Sequence, residues 1–201
     1  MLRRLNFRWF FAVMLLLLFA GSAHAQVDGN TVVRKTTSLS DEEVDRTIET
    51  FVSSLNIPAM SVAIFGPEGL RYRHTVGDIQ PNQPFFIGSV TKPVTATLVM
   101  RLVDRGDLEL DAPANRYADL PLPDHVRVVD LLQHRSGIPQ SAGYPGWAGT
   151  PPPLADAIRN ADIAAPPRKF EYCNLNYAIL GKIVESATDK PYAAALDELV
   201  L

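Results

Sequence analysis

Val44, Ile48, Phe51, Val52 and Leu55 fall on one face of a helical wheel, and Ser40 followed by Glu43 supplies the capping box that starts such a helix. A helix over about 41–56 is predicted. The period then changes. AMSVAIF and LRYRHTV are strand-like runs joined by GPEG, so residues 59–76 read as an antiparallel hairpin, with Leu70, Tyr72 and Val76 on one side of its second strand and Arg71 and Arg73 on the other. Helical spacing returns at Val90, Val94, Leu98 and Leu102, and Arg101, Arg105 and Gly106 supply a C-terminal stop. LELDAPANRYADLPLPDHV is a loop rich in proline and aspartate, and VRVVDLLQH is a short helix ended by Ser136 and Gly137. Residues 138–153 form a second long loop, whose Tyr144 and Trp147 either line a substrate cleft or pin the loop. A short helix around 154–160 precedes an amphipathic one over 175–187, carried by Leu175, Ile179 and Ile183 with Ala178, Leu180, Val184 and Ala187. YAAALDELVL reads as a last helix without a terminating signal, as at the end of a fragment. Strands come first and helices afterwards, which points to an α+β fold rather than alternating β/α units.

The N-terminus changes the picture of where the protein works. Arg3, Arg4 and Arg8 form a basic leader, WFFAVMLLLLFAG is an apolar run short for a membrane span, and Ala23 and Ala25 are the small residues a signal peptidase reads. Residues 1–25 are therefore expected to be a signal peptide cleaved after Ala25, with an uncleaved anchor as the alternative; 26–39 form a polar leader and 40–201 the folded domain. The protein is expected to be exported, periplasmic or secreted, touching a membrane only during export. Cleavage leaves 16 basic against 22 acidic side chains, net −6, which argues against nucleic acid as a partner. The single cysteine, Cys173, cannot form an internal disulfide, so the exported protein must rely on its core. His74 and His125 lack ligand spacing, and neither a metal nor another cofactor is expected.

Candidate chemistry centres on Ser89 and Lys92, the one place where a lysine follows a serine by three residues. On a helix those positions share a face, so the amine can reach the hydroxyl. Serine is a poor nucleophile until a neighbouring base takes its proton, and a lysine kept neutral by its surroundings is one such base. With ten serines and five lysines, chance produces such a pair in about one chain in four of this composition. The placement adds weight. Ser89 opens a helix with Pro93 in its first turn, where unsatisfied amides and the helix dipole favour developing negative charge. The alternative is a plain serine N-cap beside a solvated lysine.

A second constellation, Tyr172, Cys173 and Asn174, is the one tyrosine-x-asparagine in the chain and stands at or just before the start of the 175–187 helix. Taken with FFIGSVTKPVTATLVMRLVDRGDLELD and VRVVDLLQHRSGIP, it resembles the serine β-lactamase and penicillin-binding protein superfamily, most closely the class C β-lactamase and serine esterase branch. The resemblance runs from about Ser40 to the end. It implies an antiparallel sheet flanked by helices plus a helical subdomain, and an exported serine hydrolase. Ser89 would form an acyl-enzyme, Lys92 and Tyr172 would share the proton traffic, and Asn174 would hydrogen-bond Lys92 or a substrate amide. The Ser89 amide would be one oxyanion donor. Lysine and tyrosine titrate near 10 when unperturbed, so an efficient base at neutral pH needs its pKa lowered by burial, hydrogen bonds or the other's charge. Cys173 replaces the serine common at the middle position and is expected to be a buried, inert thiol. His134 matches a family position expected to order the loop beyond its helix. Outside that resemblance, Tyr172 would be a packing tyrosine and Asn174 a helix N-cap.

The family's third motif, a lysine or histidine two residues before a glycine on a late strand, is absent from this sequence. It would supply the second oxyanion donor and a cleft wall, and further strands would cover the hairpin's face and edges. These 201 residues are accordingly expected to be inactive and poorly folded by themselves. The expected substrate is a β-lactam, a D-alanyl peptide or an ester, small or derived from peptidoglycan. The competing reading is a noncatalytic binding or cell-wall-associated module on the same fold.

Overall fold

The Ser40 hydroxyl accepts the Glu43 amide at 3.3 Å, and the Glu43 carboxylate accepts the Ser40 amide at 2.8 Å. That closed capping box starts α1, Asp41–Ser54. A computed structural model of the chain describes residues 39–80, 83–142, 150–166 and 169–201. The expected signal peptide, nearly all of the polar leader, and Tyr144 and Trp147 lie outside the described residues. In sequence the chain divides into two compact units between Phe86 and Ile87.

In the first unit α1 is followed by β1, Ala59–Gly66, and β2, Gly69–Gly77, paired antiparallel from Ala59 opposite Gly77 to Gly66 opposite Gly69, with an irregularity between Ile64 and Phe65. Ile48 and Val52 of α1 pack with Val62 and Tyr72 of the hairpin, and Val44, Ile57, Met60 and Val76 close around them. Phe51, Leu55 and Leu70, which the sequence pattern places on the apolar faces, remain exposed. Tyr72 donates to the Asp45 carboxylate at 2.6 Å. Burial, then that bond and the charge of Asp45, push its pKa up to about 12, so the phenol stays protonated.

Gly77 ends β2 at φ +89°, and a Cβ there would stand 2.2 Å from the Pro58 carbonyl oxygen. Gly77→Ala therefore forces both a left-handed backbone and a main-chain clash. We expect a loss of at least about 1–3 kcal/mol, read as a lower urea midpoint.

The second unit holds the larger core. A tight turn at Gly88–Val90 leads into α2, Thr91–Asp104, and Leu98, Val99 and Leu102 are fully buried, whereas Val90 at the head of the predicted stripe is exposed. The segment from Leu108 to Val126, expected as a loop, is a packed one. Ala114 donates to the Val126 carbonyl at 2.8 Å, and Leu108, Ala112, Ala114, Ala118, Leu122 and Val126 are all buried. α3 spans Val128–Leu132, capped by the Asp130 carboxylate on the Arg127 amide at 3.0 Å. It ends before the predicted Ser136, because His134 adopts φ +55° and takes the chain out of helical geometry. α4, Leu154–Arg159, precedes α5, Asn174–Thr188, whose Leu175, Ile179, Leu180, Ile183 and Val184 form the centre of this core. α6, Tyr192–Leu199, packs on α2 and α5. Among the described residues no helix is long and apolar enough to cross a membrane.

Candidate active site

Ser89 is placed by the turn that precedes α2, and its amide belongs to a first helical turn, where N–H groups have no intrahelical acceptor. Lys92 follows one turn later on the same face, and its Nζ donates to Ser89 Oγ at 3.2 Å. One further turn along, Thr95 meets the Tyr192 hydroxyl at 2.8 Å, which ties α2 to α6.

The other half of the site comes from the extended segment before α5. Tyr172 places its hydroxyl 2.7 Å from Ser89 Oγ, and Asn174 Oδ1 accepts from Lys92 Nζ at 2.8 Å. The four residues singled out from sequence thus meet in one hydrogen-bonded cluster, although 83 positions separate Ser89 from Tyr172. Cys173 takes the N-cap position and Asn174 is the first helical residue, its side-chain oxygen turned to Lys92; the N-cap reading of Asn174 is corrected accordingly. Lys92 Nζ also lies 4.8 Å from the centre of the Tyr172 ring. Tyr172 retains 38% of its surface and Ser89 is half-buried.

The electrostatics of the cluster favour the phenolate form of Tyr172 relative to a free tyrosine. Burial pushes the Tyr172 pKa up, but the Lys92 ammonium and the Ser89 hydroxyl stabilise the phenolate more, and the net displacement is downward. Tyr177, whose hydroxyl donates to the Leu132 carbonyl at 3.1 Å, moves the other way under burial and the nearby Tyr172. The Cys173 thiol is buried and pushed up by desolvation, which keeps it protonated and inert.

Behind Tyr172 stands a polar group only partly foreseen. His134 is buried, as expected of a loop-ordering residue, and its ring centre lies 4.6 Å from that of Tyr172. Its carbonyl accepts from the Glu171 amide at 2.9 Å and its Nδ1 from the Cys173 amide at 3.2 Å. Asn176 and Ser136, which sequence reasoning missed, are buried beside it and bonded to each other at 2.6 Å. The available signal was an asparagine on the apolar face of α5, a position that calls for a partner.

A serine at a helix start bonded to a lysine and a tyrosine, with an asparagine on that lysine, in a fold of helices and an antiparallel hairpin, defines a β-lactamase/transpeptidase-like protein. A family described as Beta-lactamase matches residues 44–201, and the chain belongs to it: a family of β-lactamase-fold hydrolases. The chain is 33% identical over 157 residues to penicillin-binding protein 4 of Amycolatopsis lactamdurans, covering 70% of this chain and 41% of that protein. It is 33% identical over 165 residues to esterase EstB of Burkholderia gladioli, covering 66% and 40%. Among solved structures, the octameric penicillin-binding protein homologue from Pyrococcus abyssi superposes with a TM-score of 0.68 at 27% identity, covering 81% of this chain and 42% of that one. The chain therefore spans about two fifths of the length of these proteins.

Proposed function

We propose that this chain carries the nucleophile and proton-transfer half of an exported serine hydrolase that acts through an acyl-serine on a β-lactam, a D-alanyl peptide or an ester. The observation that carries the reading is the 2.7 Å contact between Tyr172 and Ser89, with Lys92 bonded to both Ser89 and Asn174. In the forward step the Ser89 proton passes to the Tyr172 oxygen while Oγ bonds to the carbonyl carbon, and the carbonyl π pair moves to its oxygen. The Ser89 amide, at the positive end of α2, donates to that oxyanion. Collapse of the tetrahedral adduct breaks the bond to the leaving group, which takes the proton from Tyr172. Water then repeats the sequence on the acyl-serine and releases the acid. Lys92 keeps Tyr172 acidic throughout, and Asn174 holds Lys92 in place. Export rests on the basic leader and apolar run of residues 1–25.

The relatives support this range of substrates by their names, one a penicillin-binding protein and one an esterase. The test is covalent capture. The protein as its gene encodes it is incubated with a fluorescent penicillin and, separately, a fluorophosphonate, then digested and mapped by mass spectrometry. The adduct is expected on the peptide containing Ser89. Labelling of a different residue, or of none by either probe, would overturn the reading.

A further inference from the structure

Tyr172 is held from both sides by a single residue. The amide before it, Glu171, ends on the His134 carbonyl at 2.9 Å, and the amide after it, Cys173, ends on His134 Nδ1 at 3.2 Å. The imidazole also lies against the phenol ring, centre to centre at 4.6 Å and tilted by 33°. A main-chain amide can only donate, so Nδ1 must present a lone pair. The neighbours agree. Ser136 Oγ accepts from the Ile138 amide at 3.2 Å, which leaves its own proton for Asn176 Oδ1 at 2.6 Å. With Oδ1 so engaged, the Asn176 amide group faces His134 Nδ1 at 3.2 Å as a second donor. Two donors aimed at one nitrogen admit the neutral ring with its proton on Nε2 and oppose both the other tautomer and the imidazolium.

We propose that His134 is the positioning residue of Tyr172, and that Ser136 and Asn176 fix it as the tautomer protonated on Nε2; its catalytic meaning rests on the acyl-serine reading above. The left-handed backbone at His134, φ +55°, is a sparsely populated conformation, and here it is what lets one residue present its carbonyl and its ring nitrogen to amides two positions apart. Burial, followed by the charge of Lys92, holds the His134 pKa below its ordinary value, in line with a ring that stays neutral beside the lysine and tyrosine. A base works only within hydrogen-bond reach of its proton, so a device that fixes the Tyr172 backbone and ring together sets the 2.7 Å contact with Ser89.

Nuclear magnetic resonance on the gene product, labelled with 15N-histidine and 13C-tyrosine, tests this without turnover. In the unmodified protein, the histidine signal missing from His134→Phe is expected to show a bare Nδ1 and a protonated Nε2 at pH 7. An Nδ1-protonated or doubly protonated ring overturns the proposal. Asn176→Asp places a carboxylate opposite Nδ1 and is expected to draw a proton onto that nitrogen; an unchanged tautomer in the folded variant removes Asn176 from the scheme. His134→Phe keeps an aromatic face but cannot accept the Cys173 amide, so the Tyr172 titration is expected to move up toward the usual tyrosine value. An unmoved Tyr172 midpoint in the folded variant refutes the positioning role. Should both variants fail to fold, the His134 signal is assigned by its nuclear Overhauser contact with the 13C-labelled Tyr172 ring, 4.6 Å away centre to centre, and the tautomer of the unmodified protein decides. Failure of Ser89 to label with the acylating probes would sink the hydrolase reading and leave these signals as they are, so the two failures are distinguishable.

Discussion

In the full-length protein as its gene encodes it, Ser89→Ala is expected to eliminate probe labelling and to lower turnover of nitrocefin or p-nitrophenyl esters by at least about 10³, or about 4 kcal/mol in the transition state. The size follows from what converges on this oxygen. Tyr172 contacts it at 2.7 Å and Lys92 at 3.2 Å, so its removal leaves the base with no nucleophile to deprotonate, and only water positioned by chance can replace it. Little stability is at stake. Ser89 is half-buried, and its side chain makes no capping bond at the turn it occupies, so the melting temperature is expected to stay within a few degrees of the parent. The variant carries an internal check as well. The Ser89 hydroxyl is one of the groups that lower the Tyr172 pKa, so Tyr172 should titrate higher in Ser89→Ala. Turnover retained at the parent level would remove Ser89 from the nucleophile's role.

The two halves of the site differ in how far they could be read without a structure. Ser89 and Lys92 are three residues apart at a helix start, and helical geometry alone puts them on one face; their contact is local information. Tyr172 and Asn174 reach them across more than 80 positions, and no periodicity carries such a distance. Their place was legible through resemblance, from the order and types of the motifs. His134 fell between these cases. Its burial agreed with a structural role, but the left-handed turn and the pairing of Ser136 with Asn176 depend on the packing of α3 against α5, which a one-dimensional pattern does not encode. The same limit explains the hairpin unit. The pattern marks Phe51, Leu55 and Leu70 as apolar-face positions, yet an apolar face is buried only where a neighbour covers it, and these three are exposed. Conversely, the segment from Leu108 to Val126 reads as a loop although its buried Ala114, Ala118, Leu122 and Val126 recur every four residues, because Pro121 and Pro123 interrupt any helix through those positions.

Lys92→Met is expected to cost about 10³ in acylation and to move its pH dependence, and the direction of that movement identifies the base. Burial by itself raises the Tyr172 pKa; the Lys92 ammonium and the Ser89 hydroxyl reverse that and bring it below the usual value. A cation favours the phenolate, so taking the cation away leaves burial opposed by Ser89 alone and the Tyr172 pKa must rise. If phenolate is the species that takes the Ser89 proton, acylation increases as pH rises through the Tyr172 pKa. The ascending limb in Lys92→Met must then lie at higher pH than in the parent, with a smaller active fraction at pH 7. Lys92→Arg separates charge from geometry. It keeps the positive charge near the ring but replaces a compact ammonium by a planar fork that cannot reproduce both the 3.2 Å bond to Ser89 and the 2.8 Å bond to Asn174. Its limb is expected near the parent position and its amplitude reduced. A Lys92→Met limb that stays where the parent's lies would mean that Tyr172 deprotonation does not govern the step. Loss of the ascending limb altogether in Lys92→Met would instead assign proton removal to the lysine amine acting directly on Ser89, with Tyr172 returning the proton to the leaving group.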